Sequence, residues 1–399
     1  MKIIVSILSI ITIPSLAASK PLQVYILAGQ SNMQGHAKIT TFEHIGMDPA
    51  TKPLLAEMLG SDGKPKVCER VWISSIGCAK DDTTEQTGKL TAGFGATPEK
   101  IGPEFTFGIH MEKSTDARIL LIKTAWGGKS LNTDFRPPSA GPYVFNESQL
   151  AGFRKQGKDL AAIQAEKDKA SGVYYRLMVD HVKKVLRDIQ RVVPEYDSGQ
   201  GYELAGFVWF QGWNDLVDGS TYPKRAIAGG YDSYSSNFAH LIRDVRKELN
   251  APKLPFVIGV LGVGGPTSEY GPGEQRYKST HQNFRDAMAA PALMPEFKGN
   301  VAAVRTEKYW DQELSAARAK DNSIRQHAKK LAASAKLKPA EANAALEKMR
   351  MEGLTDRERL VLEKGISNQE FHYLGSAKIL GGIGKGLAEA MVELGTVNR

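Results

Sequence analysis

The chain has 399 residues, 42% hydrophobic and 24% charged, a composition that excludes a disordered or fibrous protein and leaves room for one large domain or two modest ones. Its formal net charge is +8, but Lys and Arg are scattered rather than clustered, so the basicity reads as a solvated surface with no nucleic-acid-binding patch. Beyond the first residues no segment approaches the ~20 apolar residues that a membrane span requires.

The chain opens on Met1-Lys2, an apolar stretch over 3–13 and the small-residue site Pro14-Ser15-Leu16-Ala17-Ala18. This pattern predicts a signal peptide over 1–17, cleaved after Ala17, and a mature domain over 18–399 that is secreted or periplasmic. A first apolar run, Leu22–Ala28, reads as a strand buried on both faces and leads directly into Gly29-Gln30-Ser31-Asn32-Met33. A tight glycine turn at a strand end holds Ser31 clear of the sheet with free backbone N–H groups beside it, which is what an acyl-transfer nucleophile needs.

Residues 38–103, rich in Gly, Pro and Thr, read as loop. They contain Cys68 and Cys78. An even cysteine count in an exported chain permits a disulfide, and two free thiols fit equally well; with no His cluster at ligand spacing, no metal site is expected.

Further strands are expected at Arg118–Thr124, Leu204–Phe210, Pro255–Leu261 and Val301–Val304. Between them fall helical periods. Met178, Val182, Val185, Ile189 and Val192 mark one face, as do Phe238, Leu241, Ile242, Val245 and Leu249; Ile379, Leu380, Ile383, Leu387, Met391 and Leu394 mark the last helix. Residues 312–366, rich in Ala, Lys and Glu, read as a helical insertion. Strand–helix alternation implies a three-layer α/β/α sandwich around a parallel five-stranded sheet, whose functional residues should follow the strand ends.

The strand ends meet that expectation. After Arg118–Thr124 comes Ala125-Trp126-Gly127-Gly128, where paired glycines let a backbone N–H point into a site. After Leu204–Phe210 comes Gln211-Gly212-Trp213-Asn214-Asp215, where the Asn214 amide can meet a developing oxyanion. His372, just ahead of the last helix, can fold over the sheet edge and accept the serine proton; the other histidines show no comparable placement in the sequence.

The order Ser, Gly-Gly, Gly-x-Asn, His resembles the SGNH hydrolase superfamily, and within it the sialate O-acetylesterase-like group that includes carbohydrate esterase family 6. The resemblance rests on Gly29–Met33, Trp126-Gly127-Gly128, Gly212-Trp213-Asn214-Asp215 and His372-Tyr373-Leu374-Gly375, with Ile101-Gly102-Pro103-Glu104 as a further shared stretch. It implies a flavodoxin-like sheet, a Ser31 nucleophile, a His372 base, and an oxyanion hole from Gly127 or Gly128 and Asn214. The chemistry needs no cofactor, and the implied substrate is an acetylated carbohydrate. Gln30, Glu104, Trp126, Arg136, Gln211 and Trp213 are the expected substrate contacts.

One departure stands out. The family's aspartate three residues before the histidine is Gln369 here. Glu370, as the adjacent acid, is the first expectation for its replacement; Glu104 or a backbone carbonyl behind a Ser–His dyad are the others. The leading expectation is therefore a carbohydrate O-acetylesterase. Competing with it are a carbohydrate-binding pseudoenzyme of the same fold and an esterase for other acyl groups. No G-x-x-x-x-G-K-[ST] loop supports a nucleotide-binding protein.

Overall fold

The computed structural model describes residues 20–79 and 81–397; the expected signal peptide lies outside them. Nine strands run in chain order: β1 (Leu22–Gly29), β2 (Ala37–Lys38), β3 (Val71–Ile76), β4 (Gln86–Lys89), β5 (Lys100–Ile101), β6 (Ile119–Ala125), β7 (Tyr202–Phe210), β8 (Phe256–Val260) and β9 (Val301–Arg305). Seven form the central sheet in the order β4-β3-β6-β1-β7-β8-β9, and β2 pairs antiparallel with β5 in a small ribbon.

The five strands expected from the apolar runs are β6, β1, β7, β8 and β9. All are parallel, and their sequence ranks across the sheet read 2-1-3-4-5, the flavodoxin-like order. The sheet is two strands wider than expected. β3 pairs parallel with β6, and β4 closes the edge antiparallel to β3. Both lie in the stretch read as loop. Ser74 and Ser75 interrupt the apolar run of β3, yet both are fully buried. Ser74 Oγ is satisfied there by Glu85 Oε1 at 2.7 Å and His181 Nε2 at 2.9 Å, whereas Ser75 Oγ is buried without a hydrogen-bond partner among the described residues.

Alternating side chains of β7 show the three layers. Gly206 abuts Met391 of the helix Ala377–Val397, and Trp209 on the other face packs against Phe238 of the helix Asp232–Glu248. The helix Pro103–Ser114 shares the first face; Val173–Arg187 and Lys278–Ala289 share the second. β1 is central and apolar on both faces, with Leu22, Val24 and Ile26 fully buried. Residues Gln312–Ser334, Pro339–Gly353 and Asp356–Gly365 form three helices that pack on one another before the C-terminal helix. Among the described residues no helix is long and apolar enough to cross a membrane. Cys68 and Cys78 are both buried and unbonded, and burial raises both thiols, Cys68 to about 12.

Candidate active site

β1 lies between β6 and β7, and the chain leaves it first toward one neighbour and later toward the other. A crevice at the carboxyl end of such a strand is where ligands bind in open α/β sheets. Ser31 stands there, as the first residue of the short helix Ser31–Gln34. Gly29 is required before it, because a Cβ would come within 2.1 Å of the Phe210 carbonyl oxygen. Ser31 is buried, its Oγ has no hydrogen-bond partner among the described residues, and its N–H, at a helix N-terminus, has no backbone acceptor.

The ends of β6 and β7 close around this serine. At Gly127 a Cβ would stand 3.9 Å from Ser31 Cβ, and Gly128 is left-handed at φ +73°, a turn that a larger residue would adopt only under strain. Gln30 is buried and links the blocks. Its Oε1 accepts from Gly212 N at 2.9 Å, and its Nε2 donates to Asn214 Oδ1 at 3.0 Å. That bond fixes the Asn214 amide with its NH2 toward the glycine block, where Nδ2 donates one proton to Gly128 O at 2.9 Å. The second amide proton stays available.

Asp215, fully buried, ties the same loops from below. Its carboxylate accepts from Leu131 N, Asn132 N and Nδ2, Gln211 Nε2 and Tyr222 OH at 2.6–3.1 Å. Burial raises this carboxyl, against the pull of those donors. Gln211 is thus held by Asp215 and by Lys129 O rather than facing a ligand. Asp215 is the last residue of the Gly212-Trp213-Asn214-Asp215 block, and its place in the sequence alone does not show this tie.

Glu104, expected as a substrate contact or a substitute acid, does neither. It is fully buried, with Oε1 accepting from Gly102 N at 2.8 Å and Oε2 bound to Lys123 Nζ at 2.8 Å. Lys123 also donates to Gln34 O at 2.7 Å, so this pair props the last turn of the Ser31 helix. Lys123 carries no signal in the sequence, because a lysine inside an apolar strand has no visible partner until the fold brings one.

His372 sits in the turn Glu370–Gly375, which packs against the Ser31 helix. Tyr373 and Leu374 both take left-handed φ, at 53° and 59°. Such backbone costs about 1–2 kcal/mol per residue and needs anchoring. Tyr373 supplies it, fully buried, with its OH accepting from Gly262 N at 2.8 Å and lying 2.9 Å from Thr306 Oγ1. The turn sends Glu370 away from the imidazole. Its carboxylate meets Arg318 Nε at 3.1 Å and Asn322 Nδ2 at 3.4 Å, both on the first inserted helix. Glu370 is therefore not the group behind His372, and neither is exposed Gln369. That position belongs to Asn368, whose Oδ1 lies 2.9 Å from His372 Nδ1.

His36 is a second addition. Its ring stacks on that of His372 with centroids 3.9 Å apart and planes 5° from parallel. The sequence offered one signal, its place five residues after Ser31. Burial lowers both imidazoles, His372 to about 4 with help from Lys100, and His36 to about 3 with help from His372, Lys100 and Lys123. Both rings are neutral near pH 7.

The remaining expected contacts divide. Trp126 is buried, with its indole N–H on Asp82 O. Arg136 spends its guanidinium on the carbonyls of Asn132, Ala140, Gly141 and Pro142, holding its own loop. Trp213 is half-buried beside Phe371, rings 5.7 Å apart, and both stand near the crevice.

No curated protein matches the sequence. Among solved structures, a protein of Arabidopsis thaliana, AT4G34215, is 18% identical, with 71% of this chain and 85% of that one covered at a TM-score of 0.37. XAC1771, a carbohydrate acetylesterase from Xanthomonas citri, is 13% identical over 70% of this chain and 49% of its own, at 0.38. NanS is 12% identical over 72% and 78%, at 0.38. Similarity at that level carries no argument. The sequence model of one family does: it matches residues 21–308, which include Ser31, Gly127, Gly128 and Asn214 and stop short of His372. The chain belongs to the family described as carbohydrate esterase, sialic acid-specific acetylesterase.

Proposed function

We propose that the protein is an exported serine esterase that removes O-acetyl groups from carbohydrates through an acetyl-serine intermediate. The observation that carries this reading is the meeting, at one sheet edge, of a serine at a helix N-terminus, a glycine pair beside it, and an asparagine whose amide orientation is locked. A neutral imidazole from the C-terminal turn packs against the same helix.

In the proposed reaction His372 Nε2 takes the proton of Ser31 Oγ as that oxygen attacks the acetyl carbonyl. The N–H groups of Ser31 and of Gly127 or Gly128, with the free proton of Asn214 Nδ2, hold the oxyanion. Collapse breaks the ester bond, and the sugar oxygen leaves with the proton from His372. Water, deprotonated by the same imidazole, then releases acetate.

The test is hydrolysis of 4-nitrophenyl acetate, followed by acetate release from acetylated xylan and from O-acetylated sialic acid. Turnover that Ser31→Ala abolishes is the expected result. Carbohydrate binding without turnover would favour the pseudoenzyme reading, for which the neutral group at His372 Nδ1 is the motivating observation.

A further inference from the structure

Serine esterases stabilise the imidazolium formed in catalysis with a buried carboxylate at Nδ1. Among the described residues no carboxylate lies within ion-pair distance of His372 or His36; Glu370 is turned to Arg318 and Glu104 to Lys123. Three observations show what stands there instead. Asn368 Oδ1 accepts from Gln369 N at 2.8 Å, which fixes the amide with its oxygen toward His372. His372 Nδ1 must then carry a proton and donate, leaving Nε2 as the lone-pair nitrogen. On its other side Asn368 Nδ2 faces His36 Nδ1 at 3.5 Å, so His36 presents a lone pair there and keeps its proton on Nε2, which is buried without a partner.

We propose that His36 and Asn368 act together as positioning residues in place of the acid: the amide sets the tautomer of His372, and the stacked face of neutral His36 stabilises the imidazolium as it forms. The amide also decides which ring takes the charge. A proton on His36 Nδ1 would put a donor against the Asn368 Nδ2 donor, whereas a proton on His372 Nε2 leaves every bond to Asn368 in place. The cation then lies over an aromatic face at 3.9 Å, within cation–π range. The other charges acting on the pair are Lys100, which opposes a proton on either ring, and Lys123, which opposes one on His36. Carboxylate chemistry fits this geometry less well, since an aspartate could not donate to His36.

The inference rests on the esterase reading, and its test separates the two. His36→Phe keeps a ring face without a titrating nitrogen; His36→Leu keeps burial without a ring face. On 4-nitrophenyl acetate, kcat should fall about tenfold in His36→Leu with KM little changed, and stay within about threefold of wild type in His36→Phe. The His372 pKa, followed by NMR, should drop in His36→Leu and hold in His36→Phe. Asn368→Asp should move the acid limb of the kcat profile upward by a pH unit or more, because a carboxylate at Nδ1 favours the imidazolium. Equal kcat and equal His372 titration in the Leu and Phe variants would overturn the role of His36, and an unmoved acid limb in Asn368→Asp that of Asn368. If the wild-type protein turns nothing over, the esterase reading fails, and the His372 titrations still decide whether the pair is coupled as described.

Discussion

At the residue scale the proposed oxyanion donors carry the sharpest expectation. Asn214 has one amide proton on Gly128 O and its oxygen on Gln30, which leaves one proton aimed by two fixed bonds. Asn214→Ala should lower kcat on a small acetate ester about 10²–10³-fold, the usual cost of one preorganised donor, with KM little changed. Equal losses in kcat and stability would instead point to a structural asparagine, so the variant's unfolding midpoint is measured alongside. The strand-end residues were legible in the sequence because a strand end fixes where the next residues stand. The group behind His372 was not. Which of Asn368, Gln369 and Glu370 faces the imidazole depends on a turn with two left-handed residues in succession, and side-chain direction in such a turn follows from the anchoring of Tyr373, far away at Gly262 and Thr306.

Elements show the same division. The five expected strands announced themselves as apolar runs, while β3, also parallel, carries buried serines and β4 lies at the sheet edge with half-buried and exposed positions. Neither gives the continuous run that marks a buried strand. One anchor of the inserted helices is a buried carboxylate. Asp311 caps the first of them, accepting from Leu314 N at 2.9 Å, and its Oδ2 lies 2.9 Å from Lys378 Nζ at the start of the C-terminal helix. Both side chains are largely buried. Asp311→Ala removes a helix cap and leaves Lys378 with Asp48 alone. The expected cost is about 2–4 kcal/mol, read as a lower urea midpoint at unchanged slope. A loss under about 0.5 kcal/mol would mean that the insertion is held elsewhere.

The whole molecule holds several histidines neutral, and this sets its response to acid. Burial lowers His36 to about 3 and His372, His181 and His281 to about 4, with Arg285 adding to the effect at His281. In the unfolded chain each returns to about 6.5. Below that pH the unfolded state binds protons that the folded state refuses, so stability falls as pH decreases. The contribution is complete above about pH 6.5 and is lost progressively down to the folded values, about 4 for three of the rings and about 3 for His36. Carboxylates act later: against the burial that would raise it, hydrogen bonds from Arg191, Ser74 and Lys184 bring Glu85 from 4.5 down to about 2, so its share is lost progressively between those values. The melting temperature should therefore be flat near pH 7–8 and decline from about pH 6.5, before Glu85 titrates. His181 offers the cleanest single check, being buried beside Ser74 and given no part in the proposed reaction. His181→Gln, which does not titrate, should make the decline between pH 6.5 and 4.5 shallower, whatever it does to stability at pH 8. A wild-type melting temperature that rises on acidification through this window, or a variant whose slope matches wild type, would show that these rings are not held neutral by the fold.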